Sequence, residues 1–213
     1  LLSAVISPGP RKEPITEEIG LKLETCLLRF PQSEQAWMRH LSSALPPEAA
    51  LFLGNSLPIR EWNVAGLPSG ARRCYANRGT NGIDGVVSTF LGTAVDEKEA
   101  WRGAGDLTPL YDLAAPWIIH QLPNARRRIV VINNGGGKIF ARVASLAALD
   151  EKTRGIIENR HQVDFAAWAK LWNMDFQRIT EPTQLQHLPD QDIILEIVPE
   201  AAQTAAFVAA LHS

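Results

Sequence analysis

The chain has 213 residues, 46% of them hydrophobic, enough to bury a sizeable core as one domain. A formal net charge of −2 and a pI near 6.2 leave no basic field for a nucleic acid or an anionic membrane surface, so a small molecule or another protein is the expected partner. Cys26 and Cys74 are too few for a disulfide scaffold and lack zinc-site spacing, no apolar run nears the roughly 20 residues of a bilayer span, and no basic-then-apolar leader opens the chain; a cytoplasmic location is expected.

In chain order, Leu1 to Thr16 carries Pro8, Pro10 and Pro14 beside a small charge cluster and reads as a linker, and the start at Leu1 rather than methionine suggests a fragment. Residues 1–30 are accordingly assigned to a linker or the remnant of a preceding domain, and 31–213 to one folded domain. Gln32 to Leu45 places Ala36, Trp37, Leu41, Ala44 and Leu45 at amphipathic-helix spacing, ended by Pro46 and Pro47. Ala50 to Leu53 reads as a buried strand stopping at Gly54. Ile83 to Val95 reads as a helix, Pro109 to Leu122 as another that Pro116 bends or restarts, and Arg128 to Ile132 as a buried strand. A helix around Asp164 to Trp172, strands at Asp175 to Ile179 and Ile193 to Val198, and an Ala-rich helix from Ala201 complete the pattern. Such alternation predicts an α/β fold, a three-layer arrangement with a parallel sheet between helices on both faces. Ligands in that architecture bind beyond the carboxyl ends of the strands.

Three places after strands carry chemistry. Ser56 and Arg60 follow the Ala50 to Leu53 strand at four-residue spacing, which on a helix would aim both at one anion; Ser56 can equally be a helix cap and Arg60 a solvated side chain. Asn77 to Gly85 holds Gly79, Gly82 and Gly85 for close backbone approach and Arg78 as a rigid fork for a carboxylate or phosphate, or else is a glycine-rich turn. Gly105-Asp106-Leu107 and Asn133 to Gly137 are separated by one helix and a return strand, Asp106 and Asn134 lying 28 positions apart, so both can sit at adjacent strand ends. A carboxylate, an amide oxygen and a main-chain carbonyl converging there would suit Mg2+, and the glycines would let N–H groups meet a diphosphate. The alternative is an Asp helix cap beside an unrelated loop. No GxGxxG follows a strand, so a nicotinamide site is not supported.

The Asp106 and Asn134 pair resembles the metal-diphosphate motif of thiamine-diphosphate enzymes, GDG with a downstream NN. Leu107 in place of the third glycine, followed by Thr108 to Leu113, is similar to the GDL(S/T)xLYDL segment of the MenD family, the 2-succinyl-5-enolpyruvyl-6-hydroxy-3-cyclohexene-1-carboxylate synthases. Gly54 to Arg60 (GNSLxxR), Asn77 to Gly85 (NRGxxGIDG) and Asn133 to Phe140 (NNxGGxIF) match the same family in the same order. The resemblance makes 31–213 a thiamine-diphosphate-binding domain and implies decarboxylation of 2-oxoglutarate, then addition of the stabilised succinyl carbanion to isochorismate, in menaquinone biosynthesis. It implies Mg2+ (or Mn2+) held by Asp106, Asn134 and the Gly136 carbonyl, and thiamine diphosphate against Gly105, Asp106, Leu107, Asn134, Gly136, Gly137 and Ile139, with Ile83 beneath the bent cofactor. Ser56, Arg60 and Arg78 would hold substrate carboxylates, with Phe140, Ile139 and Val143 as an apolar wall. Tyr111 and Asp112 match too, though packing and capping at a helix start explain them equally.

Two departures accompany the match. Arg102 and Gly103 stand where the strand before GDL is apolar in the family, and the activating Glu of the family lies on an N-terminal pyrimidine-binding domain outside these 213 residues. A homo-oligomer whose site forms between domains of two subunits is therefore implied, with this stretch inactive alone. Another thiamine-dependent decarboxylase or carboligase, a non-catalytic assembly module of the same fold, and an unrelated nucleotide-binding module are the other readings.

Overall fold

The computed structural model describes residues 17–68, 73–79 and 82–213. In chain order these form α1 (Glu17–Arg29), α2 (Glu34–Ala44), β1 (Ala50–Leu53), α3 (Leu57–Ala65), β2 (Cys74–Tyr75), α4 (Val86–Thr93), β3 (Glu99–Gly105), the single turn α5 (Leu107–Leu110), a 3-10 helix Ala115–Gln121 and β4 (Arg126–Ile132). There follow a 3-10 helix Lys138–Arg142, α6 (Ala144–Ala147), α7 (Glu151–Ile157), α8 (Phe165–Leu171), β5 (Asp175–Ile179), a 3-10 helix Pro182–Gln186, β6 (Ile193–Ile197) and α9 (Ala201–His212). The six strands form one wholly parallel sheet in the order β2-β1-β3-β4-β6-β5.

Because successive strand side chains point to opposite faces, each strand feeds two cores. Leu51, Leu53, Trp101, Val130, Ile132, Leu195 and Ile197 pack with Trp37, Met38 and Leu41 of α2 and Phe207 of α9. Ala50, Phe52, Ala100, Ile129, Val131 and Ile194 pack on the other face with Val87, Phe90 and Leu91 of α4 and Phe165 and Trp168 of α8. Each fully buried large apolar side chain contributes about 1.5–3 kcal/mol, so these two layers supply the main drive to fold. The expected three-layer α/β arrangement is the one observed. No described helix is long and apolar enough to cross a membrane.

Several local expectations are corrected. Leu1 to Thr16, read as linker, lies outside the described residues; Glu17–Arg29, in the stretch assigned to a linker or the remnant of a preceding domain, forms α1, whose Cys26 and Leu27 join the first core. The helix expected over Pro109 to Leu122 is one turn of α5, a turn, and a 3-10 helix restarting with Pro116 in its first turn, since proline lacks the N–H that would continue an α-helix. The helix expected from Ile83 begins at Val86, after Gly85 adopts φ 71°. Ala100 to Ala104, polar as it looks, is the middle of β3, paired with β1 and β4 along its length. Sheet pairing and the neighbours' apolar surfaces override the poor strand character of Arg102 and Gly103.

Candidate functional site

The chain leaves β1 toward β2 on one side and returns to β3 on the other, so the sheet reverses its winding between β1 and β3. At such a switch point the helices diverge and leave a crevice beyond the carboxyl ends. A cleft of about 380 Å3 lies there, lined by Ser56 and Arg60 after β1, Arg78 and Ile83 before α4, Gly105, Asp106 and Leu107 after β3, and Asn134, Gly136, Gly137, Ile139 and Phe140 after β4. Apart from Val143, every residue assigned in the sequence to cofactor, metal or substrate thus lines one space. Val143 does not line it. A larger cleft of about 620 Å3 opens at the other end of the sheet, around Pro123, Asn173 and Asp190, and holds none of these residues. Size alone is a poor guide here, because the smaller cleft is the one at the strand exits.

Close packing at the exits explains two glycines. A side chain on Gly54 would place Cβ 2.5 Å from Ala104 Cβ, so glycine lets the end of β1 lie against β3. Gly136 has φ 131°, and a Cβ there would lie 2.5 Å from the Glu158 carbonyl oxygen. The Asn133 to Gly137 loop is thereby pressed onto the 158–160 turn, with Gly137 N–H donating to Glu158 O.

Asp106, only 1% exposed, is the hub. Its Oδ1 accepts from Leu107 N–H at 2.7 Å, capping α5, and its Oδ2 accepts from Gly135 N–H at 2.7 Å and Gly136 N–H at 2.9 Å. Asp106 thus caps α5, and the glycine loop after β4 is bonded to it rather than unrelated. Burial pushes the carboxyl above its usual range, against the opposing pull of the Gly136 N–H. His161 Nε2 stands 3.2 Å from Asp106 Oδ2 without the alignment of a hydrogen bond, while its Nδ1 accepts from Val163 N–H, leaving the ring proton on the nitrogen facing Asp106 when the ring is neutral.

Asn134 donates from Nδ2 to Glu34 Oε1 at 2.6 Å, and its Oδ1 is buried with no hydrogen-bond donor. Glu34, 3% exposed, is pushed up to about 7 by burial, against the hydrogen bond from Asn134. Behind it Glu61 pairs with Arg142. The donor set at the cleft is one carboxylate, one amide oxygen without a donor, and the Gly136 carbonyl, which accepts from Lys138 N–H at 2.8 Å and retains a second lone pair. Hard oxygens of this kind fit a small divalent cation that shares its shell with phosphate. No group of three or more His, Cys, Asp or Glu suited to a metal exists among the described residues, as expected of a set with one carboxylate.

The substrate-facing wall differs in detail from expectation. Ser56 does not cap α3 with its side chain; it adopts φ 72°, and its carbonyl accepts from Arg60 Nη1 at 2.6 Å. Asn55 Nδ2 donates to Asn77 O at 2.8 Å, tying the first motif to the second, and exposed Arg78 approaches Asn55 Oδ1 at 3.5 Å. Thr80 and Asn81 of the glycine-rich segment lie outside the described residues. Asp112 accepts from Ser88 N–H at 2.7 Å and Ser88 Oγ–H at 3.0 Å, holding the first turn of α4, while Tyr111 Oη accepts from Asn159 Nδ2 at 3.1 Å. Sequence reasoning missed Glu34 and His161. Neither stands in a motif: Glu34 looks like an ordinary first-turn acid, and only the fold carries His161 across 55 positions to Asp106.

No protein-family model matches the chain. Curated relatives do. A 2-succinyl-5-enolpyruvyl-6-hydroxy-3-cyclohexene-1-carboxylate synthase of Bdellovibrio bacteriovorus is 39% identical over 97% of the chain and 39% of that protein. One of Akkermansia muciniphila is 35% identical over 85% of the chain and 35% of that protein, and one of Staphylococcus aureus is 32% identical over 85% of the chain and 33% of that protein. The chain thus spans between a third and two fifths of the length of these relatives. Among solved structures, a thiamine diphosphate-dependent 4-hydroxybenzoylformate decarboxylase of Rhodococcus jostii superposes with a TM-score of 0.60 at 13% identity, over 79% of the chain and 32% of that structure. The benzoylformate decarboxylase of Polynucleobacter necessarius gives 0.59 at 15% identity, over 78% and 33%. At that identity the likeness establishes the fold, and the closer sequence matches establish kinship: the chain belongs to the 2-succinyl-5-enolpyruvyl-6-hydroxy-3-cyclohexene-1-carboxylate synthase family.

Proposed function

We propose that these 213 residues are the cofactor-binding part of a transferase that decarboxylates 2-oxoglutarate and adds the succinyl unit to isochorismate, with thiamine diphosphate anchored through Mg2+ or Mn2+. The observation that carries the reading is that Asp106, Asn134 with its donor-free Oδ1, and Gly136 line one cleft together with residues of each of the other motifs. When bound, thiamine diphosphate supplies the carbanion-stabilising chemistry. Asp106, Asn134 and Gly136 would hold the cation. Gly105, Leu107, Gly137 and Ile139 would line the cofactor's path, and Ile83 would support it. Arg60 and Arg78, exposed at the mouth, offer planar forks to the substrate carboxylates, beside Ser56. Ile139 and Phe140 would keep water from the reacting carbon.

Among the described residues that line this cleft Asp106 is the one carboxylate, and it is assigned to the anchor. The activating Glu is proposed to come from the N-terminal portion of the relatives, across a subunit boundary. The test is CO2 release from 2-oxoglutarate with thiamine diphosphate and Mg2+. We expect none from these 213 residues alone, release when they are joined to the N-terminal portion of the Bdellovibrio relative, and loss of that release with Asp106→Ala. Full-rate release by the 213 residues alone would refute the division of labour. Release insensitive to Asp106→Ala would refute the metal anchor.

A further inference from the structure

The cation site proposed above depends on an amide whose two ends differ sharply in chemistry, and the fold contains a device that chooses between them. A primary amide can rotate by half a turn and present either an acceptor oxygen or an NH2 group, and only the oxygen can meet a cation. Asn134 emerges from β4 with nothing on its own strand to choose the orientation. The choice falls to Glu34, 100 positions earlier in the chain, whose Oε1 receives Asn134 Nδ2 at 2.6 Å. With Glu34 ionised its carboxylate can only accept, so the NH2 end is fixed toward it, and Asn134 Oδ1 is left buried without a donor on a residue that lines the cleft.

Glu34 is itself held from two directions. Ser33 caps α2, with Ser33 Oγ accepting from Ala36 N–H at 3.2 Å, and Glu34 N–H donates to Thr204 Oγ1 of α9 at 3.0 Å. The neighbouring Gln32 is bonded to α9 at both backbone groups, its N–H donating to Gln203 Oε1 and its carbonyl accepting from Glu200 N–H, each at 2.8 Å. The start of α2 is thus pinned to the start of α9. A residue 3% exposed and fixed in this way has no solvent-facing alternative for its carboxyl group.

We infer that Glu34 is a positioning residue that locks the Asn134 side-chain amide with its oxygen toward the cleft, pre-setting one ligand of the divalent cation. The inference rests on the metal reading of the site above. Residues that orient a metal ligand in this manner typically alter cation affinity about 10–100-fold when removed. A packing role alone would not depend on the chemistry at position 134, and this separates the two explanations.

The experiment uses the 213-residue chain, with Mn2+ and thiamine diphosphate as probes and nuclear magnetic resonance as the readout, so that no turnover is needed and weak binding remains measurable. Two signals are followed: exchange of the Asn134 side-chain amide protons with water, and paramagnetic broadening of the Asn133 to Gly137 loop as Mn2+ is added. In the wild type we expect slow exchange and saturable broadening. Glu34→Gln, whose own amide can offer either its oxygen or its NH2 group to Asn134, should no longer hold one orientation and should weaken both signals. Glu34→Met, similar in volume but without an acceptor, should lose the slow exchange and weaken Mn2+ binding about tenfold or more. In an Asn134→Asp background, where either oxygen can face the cleft, Glu34→Met should cause no further weakening. Melting curves for every variant establish that each is folded.

Equal weakening by Glu34→Met in the Asn134 and Asp backgrounds would overturn the inference, as would slow exchange that persists in Glu34→Met. Either could happen while the wild type still shows saturable Mn2+ broadening, leaving the metal reading intact. Slow exchange in the wild type without any broadening at millimolar Mn2+ would instead overturn the metal reading, and the role of Glu34 with it.

Discussion

Two buried side chains with unmet polar atoms call for opposite explanations. Asn134 Oδ1 lacks a donor at the edge of a cleft, where an unmet acceptor can meet a ligand. Arg102 lies in the middle of β3, paired in register with Phe52 and Ile129, 0% exposed, with Nε, Nη1 and Nη2 all without a hydrogen-bond partner. Burial pulls its guanidinium down to about 9, opposed by attraction to Asp112, so it remains charged at neutral pH. A charge in that position is a liability unless compensated, and replacing such a group with an apolar one of similar volume is commonly neutral or stabilising by about 1–4 kcal/mol. Arg102→Met is therefore expected to raise the melting temperature, by about 2–4 °C for each kcal/mol gained in a chain of this size. Thermal melts followed by circular dichroism would check it. A fall of several degrees would mean that the guanidinium has a stabilising partner after all.

At the scale of elements, the loop after β4 is where backbone conformation and chemistry meet. Gly135 has φ 80° with open space at its Cβ position, whereas Gly136 combines φ 131° with a Cβ position 2.5 Å from the Glu158 carbonyl oxygen. Gly135→Ala should cost only the left-handed penalty of about 1–2 kcal/mol. Gly136→Ala adds a backbone clash that cannot be relieved by a rotamer change, so it should cost about 3 kcal/mol and displace the N–H that Asp106 accepts. Melting temperature and Mn2+-induced broadening in the two variants give the comparison; equal effects would show that crowding by Glu158 is not what selects glycine. The strand leading into this loop was legible because Ile129 to Ile132 is an uninterrupted apolar run, and Asp175 to Ile179 was legible at both ends. The β3 strand was not, since its place between β1 and β4 is a property of the sheet and Arg102 hides it. The break in the Pro109 to Leu122 helix was half legible: Pro116 marks the restart, but nothing local announces that α5 stops after one turn. The site was read through glycines, Asp and Asn after strands, a signal local in sequence. Glu34 and His161 reach it only through tertiary packing.

For the whole molecule, the site is a joint of distant segments: the exits of β1, β3 and β4, the start of α2, and the turn at residues 158–161. The surface beyond it is not uniformly polar. Trp117 is 54% exposed and Leu171 68%, with exposed Leu113 close to the helix that bears Leu171, because Trp168 and Trp172 both donate to the Leu113 carbonyl at 2.9 Å. Tyr111 and Phe140, also exposed, flank the region of the cleft. Scattered apolar residues are ordinary on a surface, but large side chains this exposed are candidates for a protein contact. Since the family relatives are about two and a half times as long as this chain, the contact in a complete enzyme is proposed to be with their remaining portion. With that portion absent, the same surface should meet a second copy. Sedimentation velocity over a concentration series is expected to show a rising average mass for the 213 residues, and Trp117→Glu combined with Leu171→Glu is expected to hold them monomeric without lowering the melting temperature. Should the unaltered chain stay monomeric across the series, these side chains are isolated surface residues. If instead the double variant associates as strongly as the wild type, association runs through another face, of which the outward side of α1, with Ile19, Leu21 and Leu28 exposed, is the next to substitute.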